Sequence, residues 1–376
     1  MKTAGARDLR SLARAEVDEL VHRLGEKPYR ARQIFRWIHQ KGAATLDEMS
    51  DLPVALRTRI GAEVRLVSLE RAEERRSADG TIKWTWRTID GKLVESVYMP
   101  ERSRKTLCVS TQAGCAVGCT FCMTGTMGLS RNLTSGEIVD QVARANRRLL
   151  ELGEGSGARP LTNLVFMGMG EPLHNYDNVK AALEVLLSED GPNFSNRHVT
   201  VSTAGIVPEM RRFGEETDVK LAVSLNATTD EVRTALMPLN RRWPLADLLA
   251  ACRDFPMKKG RRITFEYVLL GGVNDTDEDA RRLSRLVKGI PAKVNLIPYN
   301  ENPGLGFRAP APERVEAFRD LLVAANVTAV IRRNRGRDIA AACGQLAATG
   351  GPGDPRRRGK DGTPSLTGRG SCGRRR

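Results

Sequence analysis

The sequence predicts an α/β protein whose main part is a full or partial barrel of parallel strands covered by helices. Three observations predict it. Apolar runs of strand length alternate with helical stretches from about residue 104 to 345, which is typical of such sheets. Helical and then period-two patterns occupy the first 95 residues. The chain after residue 350 is rich in Gly, Pro and Arg and cannot form a core. We therefore predict an accessory domain at 1–95, a core at 96–347 and a disordered basic tail at 348–376.

The accessory region begins with helices and ends with strands. Apolar spacing predicts helices at 9–24, 30–40 and 50–62, followed by strands at 63–72, 81–89 and 93–99. Asp90-Gly91 predicts a hairpin turn between the last two strands. The second helix mixes aromatic and basic side chains, namely Tyr29, Arg30, Arg32, Phe35, Arg36, Trp37 and Lys41. A mix of aromatic and basic side chains suits RNA contact, so we expect the accessory domain at 1–95 to bind RNA. We expect the aromatic residues of this helix to lie in the core and some of its arginines to contact RNA.

The core region carries seven strand-like runs, at 106–111, 163–167, 198–202, 220–225, 263–270, 293–297 and 328–332. The clearest helix between them spans 134–153, because Thr134 and Glu137 have capping-box spacing and Gly153 supplies a stop. Functional residues of barrels gather at the carboxyl ends of the strands. We therefore look for the site at those ends.

Charge and hydropathy indicate the kind of partner and the compartment to expect for this protein. The formal net charge is +15, and eight basic against two acidic residues in the segment 350–376 account for part of it. A basic folded body favours a polyanionic partner such as RNA, with solubility as the simpler alternative. There is no run of eighteen apolar residues and the N-terminus has no apolar signal core. We expect a cytoplasmic protein that does not bind membranes.

Three of the seven cysteines, Cys115, Cys119 and Cys122, have the spacing C-x₃-C-x₂-C. Thiolates this close can converge on one small object, and a structural zinc site ordinarily needs a fourth protein ligand. A [4Fe–4S] cluster with one open iron position fits a set of three. A Cys₃His zinc site and chance core cysteines are the alternatives, although no histidine lies within fifty residues of the triad.

The triad, with Phe121 before its last cysteine, resembles that of the radical S-adenosylmethionine enzymes. Five later segments are similar to one subgroup, the bacterial RlmN-type methyltransferases of adenine carbon 2 in RNA. They are MetGlyMetGlyGluPro (167–172), SerThrAlaGly (202–205), SerLeuAsnAla (224–227), AsnLeuIleProTyrAsn (295–300) and GlyArgAspIleAlaAlaAlaCysGlyGlnLeu (336–346). The resemblance covers about residues 15–347. It implies a partial (β/α)₆ barrel that holds a [4Fe–4S] cluster and uses two S-adenosylmethionine molecules per turnover.

The resemblance also implies which residues act. The S-adenosylmethionine contacts would be Gly170, Glu171, Ser202, Ser224, Leu225, Asn226 and Asn300. Cys343 matches the cysteine that carries the methyl group, Cys108 the cysteine that attacks the Cys343 sulfur to form a disulfide, and Glu95 the base that removes the carbon 2 proton. Each has a structural alternative: a core strand for Cys108, tight helix packing for Cys343 and an exposed strand face for Glu95.

The implied partners are 23S rRNA at the peptidyl-transferase centre and tRNA at the adenine 3′ of the anticodon. An electron donor such as flavodoxin or a thiol reductant system and a monomeric state are also implied. Two competing functions stay open. One is methylation of adenine carbon 8, as in a related resistance subgroup. The other is a non-enzymatic iron–sulfur protein that binds RNA or acts as a sensor.

Overall fold

A ten-stranded mixed sheet runs through the protein, which we describe from a computed structural model. The description covers residues 7–154, 160–258, 260–302, 304–332 and 334–347, so the tail predicted at 348–376 lies outside it. The strands are β1 (Arg7–Asp8), β2 (Val64–Arg65), β3 (Glu70–Arg76), β4 (Ile82–Arg87), β5 (Leu93–Pro100), β6 (Lys105–Cys108), β7 (Gln112–Gly114), β8 (Leu129–Asn132), β9 (Asn163–Phe166), β10 (Val199–Thr203), β11 (Lys220–Ser224), β12 (Ile263–Leu269), β13 (Ala292–Pro298) and β14 (Ala329–Ile331). The α-helices are α1 (Arg14–Arg23), α2 (Tyr29–His39), α3 (Val54–Glu63), α4 (Met123–Thr126), α5 (Ser135–Glu151), α6 (Tyr176–Leu187), α7 (Val207–Glu216), α8 (Asp230–Leu236), α9 (Leu245–Arg253), α10 (Asp277–Leu286) and α11 (Pro312–Ala324).

Seven strands pair in parallel, in the order β6-β9-β10-β11-β12-β13-β14. They correspond to the seven runs predicted from the sequence. In β12, Phe265, Tyr267 and Leu269 are buried on one face, and Thr264, Glu266 and Val268 alternate with them on the other. Because β14 ends the sheet and β6 continues into β5, the described strands form an open arc. The predicted partial barrel is confirmed.

The accessory strands extend the barrel sheet. β3, β4 and β5 pair antiparallel, and β5 then pairs with β6 through Val97 and Cys108. The hairpin predicted at Asp90-Gly91 joins β4 to β5, with Thr88 N donating to Lys92 O at 2.8 Å. The domain boundary predicted after residue 95 falls inside β5, and it stays a prediction.

Helix α5 has the ends that the sequence predicts. The Thr134 side chain accepts from Glu137 N at 3.2 Å, and a Glu137 carboxylate oxygen accepts from Thr134 N at 3.0 Å, which completes the capping box. Gly153 adopts a positive φ of 70° just after the helix. No helix in the described ranges combines the length and apolar character needed to cross a bilayer.

Two N-terminal predictions were wrong in detail. The helix predicted at 9–24 begins only at Arg14, and the strand predicted at 63–72 is split into β2 and β3. Arg10 accounts for the first difference: it is 1% exposed, and its guanidinium donates to Ile38 O and Ala43 O and pairs with Asp140 at 3.2 Å. These long-range bonds hold residues 8–12 in a turn. The apolar spacing of the sequence cannot reveal such bonds, so it predicted a helix there.

The N-terminal helices dock on the core through Asp190, in the loop after α6. Its carboxylate pairs with Arg14 at 2.7 Å, Arg32 at 2.6 Å and Arg36 at 3.2 Å. Arg32 and Arg36, two of the arginines from which we expected RNA contacts, therefore form ion pairs within the protein. Phe35 is buried as predicted, at 1% exposure, whereas Tyr29 is 50% exposed, so the core prediction is wrong for that aromatic residue.

Candidate active site

An open cavity with about 170 Å³ of accessible space lies at the carboxyl ends of the parallel strands. Its location is where barrels place function. The predicted site residues that line it are Cys115, Cys119, Cys122, Gly170, Glu171, Ser202, Ser224, Asn226 and Cys343. Parallel pairing thus gathers segments that are far apart in sequence.

The three cysteines of the triad lie on one loop between β7 and α4. Backbone bonds hold the loop: Cys115 N donates to Gly128 O at 2.9 Å, and Cys122 N donates to Cys119 O at 3.2 Å. Burial raises the pKa of all three thiols, to about 12 for Cys115, and the neighbouring thiols of the triad raise it further for Cys115 and Cys119. Neighbouring thiols repel one another once they are ionised, so a strongly positive group is needed to hold all three as thiolate ligands.

The triad suits a cluster better than a single ion. In the part of the chain that the structure describes, no three His, Cys, Asp or Glu side chains come close enough to hold one metal ion. The zinc alternative requires such a group. In an iron–sulfur cubane each cysteine binds a different iron, so three cysteines spread along one loop and facing one cavity fit a [4Fe–4S] cluster.

Gly170 and Glu171 form the part of the cavity that follows β9. Gly170 has a φ of 100°, and a Cβ added there would lie 2.5 Å from the Gln112 Cβ, so only glycine fits. The Glu171 carboxylate accepts from Ala204 N at 2.7 Å and Leu173 N at 3.0 Å. Burial raises its pKa to about 7 although these bonds lower it. A cation at this carboxylate would therefore favour its charged form, and the ammonium group of an amino acid moiety is such a cation.

The remaining predicted S-adenosylmethionine contacts divide into two groups. Ser202, Ser224 and Asn226 line the cavity. Leu225 is fully buried and Asn300 is 1% exposed, and neither lines it. Both amide atoms of Asn300 lack a hydrogen-bond partner among the described residues, which leaves its donor and acceptor available to a ligand.

The three predicted catalytic residues lie near one another. Cys108 pairs with Val97 of β5, and Glu95 stands two residues before Val97 on the same face. Cys343 lines the cavity. Burial raises the pKa of the Cys108 thiol to about 12, and the nearby Cys343 thiol is the second cause of this rise. Both thiols are free. The core alternative for Cys108 does not explain why a second cysteine lies within its electrostatic reach.

Cys343 belongs to the segment 336–347, which is held between the cysteine loop and the accessory strands. On one side Met123 N donates to Gly344 O at 2.9 Å. On the other, Lys83 Nζ donates to Ala340 O at 3.0 Å. The segment thus joins the cysteine loop to the accessory sheet. Tight helix packing, the alternative suggested by its alanines, is not what positions Cys343.

Glu95 is buried, at 2% exposure, which contradicts the alternative of an exposed strand face. Its carboxylate pairs with Lys83 at 3.2 Å through one oxygen and accepts from Ala347 N at 3.0 Å through the other. The base candidate therefore contacts the segment that carries Cys343.

Sequence reasoning missed three charged residues of this region: Lys83, Glu266 and Arg332. Glu266 and Arg332 line the cavity. One Glu266 oxygen accepts from Asn295 at 3.0 Å, and the other is buried with no hydrogen-bond partner among the described residues. The available signal was a charged residue at the inward position of a period-two run, as for Lys83 in β4 and Glu266 in β12.

The arc of parallel strands and the cysteine loop facing a cavity at its carboxyl end define a radical S-adenosylmethionine enzyme. The family description "Radical SAM superfamily" matches residues 109–284, and "Ribosomal RNA large subunit methyltransferase N-terminal domain" matches residues 7–66. The chain belongs to the RlmN family of dual-specificity RNA methyltransferases. This membership removes the non-enzymatic alternative.

The relatives on which this membership rests resemble the chain over most of its length. The dual-specificity RNA methyltransferase RlmN of Anaeromyxobacter dehalogenans is 77% identical, over 93% of this chain and 94% of its own. RlmN 2 of Myxococcus xanthus is 61% identical, over 91% and 89%. A solved radical SAM methyltransferase from Sphaerobacter thermophilus superposes with a TM-score of 0.87 at 48% identity, over 91% of this chain and all of that one.

Proposed function

We propose that this protein methylates carbon 2 of adenine in 23S rRNA and tRNA, with Cys343 as the methyl carrier. The observation that supports this most is the position of Cys343. It lines the same cavity as the three cluster cysteines and lies close enough to Cys108 for the two thiols to interact electrostatically, although more than two hundred residues separate them in sequence. A radical enzyme of another type has no need for this second pair of cysteines.

Cys115, Cys119 and Cys122 would hold the [4Fe–4S] cluster, and Gly170, Glu171 and the strand-end residues would hold S-adenosylmethionine. When bound, these groups supply transferable methyl groups and one-electron chemistry. Such chemistry is needed because carbon 2 of adenine, between two ring nitrogens, is too electron-poor to attack a methyl sulfonium. We propose two S-adenosylmethionine molecules per turnover, one as methyl donor and one as radical source.

The chain's own cysteines carry and release the methyl group in this proposal. The Cys343 thiolate accepts a methyl group as a nucleophile and presents it in the cavity. After the methyl carbon has bonded to adenine, the Cys108 thiolate attacks the Cys343 sulfur. The S–S bond forms as the bond between the Cys343 sulfur and the transferred carbon breaks, and that carbon takes the electron pair and a proton, which releases the methylated RNA. A reductant, such as a thiol system, must then restore both thiols.

Glu95 is suited to accept the proton that leaves carbon 2. It is buried on the same sheet face as Cys108 and bonds to the segment of Cys343. Lys83 pairs with its Oε1 at 3.2 Å and so fixes the orientation of the carboxylate. Lys83 therefore acts as a positioning residue for Glu95.

Mass spectrometry of the isolated protein tests the proposal most directly. We expect a methyl group on Cys343 and none on Cys252, a buried cysteine outside the cavity. Cys108→Ala should accumulate a covalent protein–RNA adduct. Unmethylated Cys343 in protein isolated from cells, together with continued RNA methylation by Cys343→Ala, would contradict the proposal.

Chromatography of digested RNA separates carbon 2 from carbon 8 methylation. We expect 2-methyladenine from both 23S rRNA and tRNA after incubation with cluster-loaded protein, S-adenosylmethionine and a reducing system such as flavodoxin. 8-Methyladenine in its place would assign the protein to the other chemistry. We further propose that the enzyme acts as a cytoplasmic monomer, which size-exclusion chromatography with light scattering tests.

A further inference from the structure

A cluster of cations lies at the end of the barrel opposite the cavity. It comprises Arg104, Arg197, Lys220, Arg261 and Lys293, and we call it the amino-end cation cluster. Each residue stands just before, or at the start of, one of the parallel strands β6, β10, β11, β12 and β13. Because the cavity lies at the carboxyl ends of the same strands, the cluster belongs to a separate surface.

The strand pairing brings these side chains together. Thr264 of β12 pairs with Ala222 on one side and with Lys293 on the other. Lys220 stands two residues before Ala222, so Lys220 and Lys293 leave the same face of the sheet. Arg261 donates to the side chain of Asn196 at 3.2 Å, which places its guanidinium beside the neighbouring residue Arg197.

Within the described ranges no member of the cluster forms an ion pair with a carboxylate, although Lys293 acts at longer range on the buried Glu266. None of its five members lies within 4 Å of an acidic group there, although most arginines of the protein do. On α10, for example, Arg285 pairs with Glu278 at 2.8 Å. Partial burial lowers the pKa of Lys220, and Lys293, Arg104, Arg261 and Arg197 lower it further. The arrangement therefore costs folding stability at neutral pH, which a bound anion would offset.

We propose that the amino-end cation cluster binds backbone phosphates of the RNA substrate, at a distance from the adenine in the cavity. This inference rests on the proposed function. Five neighbouring cations that form no ion pairs make a surface for a polyanion, and phosphate contacts are what position RNA on a protein. An acidic electron-donor protein is a poorer candidate, because it must approach the cluster cysteines at the other end. The seven residues of β12 alone span about 23 Å.

Two double variants of equal charge test the inference. Arg197→Gln/Lys220→Gln removes two exposed cations of the cluster, and the matched control Arg281→Gln/Arg285→Gln removes two exposed, paired cations of α10. The measurement is the affinity of the full chain for a tRNA transcript as a function of salt. We expect the first variant to bind about tenfold more weakly at low salt. The slope of log affinity against log salt should fall by about 1.4 to 1.8, as for two lost phosphate contacts.

In thermal stability the order should be reversed, so that the cluster variant is at least as stable as the control. Relief of like-charge repulsion should leave the melting temperature of Arg197→Gln/Lys220→Gln unchanged or higher, whereas the control loses ion pairs and should melt at the same or a lower temperature. Weak RNA binding by an unfolded variant would therefore be recognised.

Three outcomes would overturn the inference. The first is wild-type affinity and salt slope in the cluster variant. The second is an equal loss in the control, which would mean that only total charge matters. The third is unchanged RNA affinity with slower turnover by a protein electron donor, which would assign the surface to that partner. A wild-type protein that binds RNA with the expected slope but forms no methyladenine would refute the proposed function alone.

Discussion

Lys83 is the residue on which the proposed base depends most. Its ammonium lies 3.2 Å from Glu95 Oε1 and donates to Ala340 O at 3.0 Å, and both side chains of the pair are at most 5% exposed. Lys83→Met removes a cation beside a buried carboxylate. We expect the free energy of unfolding, measured by urea denaturation of the full chain, to fall by about 3 to 5 kcal/mol.

The double variant Lys83→Met/Glu95→Gln separates charge from packing. It replaces the ion pair by two neutral side chains of similar size, so it should recover most of the stability that Lys83→Met loses. A double variant no more stable than Lys83→Met would show that the methionine disturbs packing instead.

Glu266 supplies a prediction about pH. Burial raises its pKa above the ordinary 4.5, although Arg332, the bond from Asn295 and Lys293 lower it. A carboxyl with a raised pKa stabilises the fold below pH 4.5 and loses that contribution as pH rises through its folded value. Without bound cofactors, wild type should therefore lose more stability than Glu266→Gln between pH 4.5 and 8.

Urea midpoints across this pH range measure the difference. The two midpoint curves should diverge as pH rises, with Glu266→Gln the more stable at pH 8. Parallel curves would mean that folding does not raise the pKa of Glu266. The same variant should bind S-adenosylmethionine more weakly, because the unpartnered oxygen in the cavity is lost.

At the scale of elements, period and turn chemistry predicted most of the strands and helices. The hairpin at Asp90-Gly91, the cap at Thr134 and the seven parallel strands could all be found because each signal is local. The split of the strand predicted at 63–72 could not be found. Its second part is held by Asp140, whose side chain accepts from Leu69 N at 2.6 Å across seventy-one positions.

The same reasoning explains which parts of the candidate site could be predicted. The cysteine triad shows itself by spacing, and the Gly-Glu pair by its place after a strand. The contact between Lys83 and the segment 336–347 joins two regions 257 residues apart, and no local pattern encodes it. Glu266 could be suspected from an inward-facing charge, but only the structure shows that one of its oxygens is unpartnered.

The segment that carries Cys343 begins at Gly336, which has a φ of +62°. A Cβ there would lie 2.8 Å from the Ala341 Cβ and 2.9 Å from the Thr81 Cγ2. Gly336→Ala should therefore displace the segment and cost at least about 1 kcal/mol of stability. We expect a lower fraction of methylated Cys343 in the isolated protein, measured by mass spectrometry.

Gly91→Ala is the matched control for this prediction. Gly91 has a similar φ of +80°, but its Cβ would meet nothing within 4 Å and it lies in the β4–β5 turn. Gly91→Ala should therefore introduce the same backbone strain without loss of Cys343 methylation. Equal methylation of the two variants would mean that the segment tolerates displacement.

At the scale of the whole molecule, sheet continuity and ion pairs join the accessory region to the barrel. β3, β4 and β5 extend the barrel sheet beyond β6, whereas α1 and α2 dock through the carboxylate of Asp190. The strands are thus fixed to the core by backbone hydrogen bonds. The helices depend on side chains that are partly exposed, so we expect their position to be the more sensitive to salt.

Asp190→Asn tests whether this carboxylate holds the N-terminal helices in place. It weakens three partly exposed ion pairs at once, so we expect a loss of about 1 to 2 kcal/mol at low salt that shrinks at high salt. Hydrogen exchange should quicken in α1 and α2 and stay unchanged in β9–β13. The control Asp18→Asn removes the other carboxylate that pairs with Arg14, at 3.1 Å within the same helix, and should leave exchange in α2 unaltered. If hydrogen exchange in α1 and α2 is as slow in both variants as in wild type, apolar packing alone docks these helices. Their position would then not depend on the charges that compete with RNA phosphates for the same arginines.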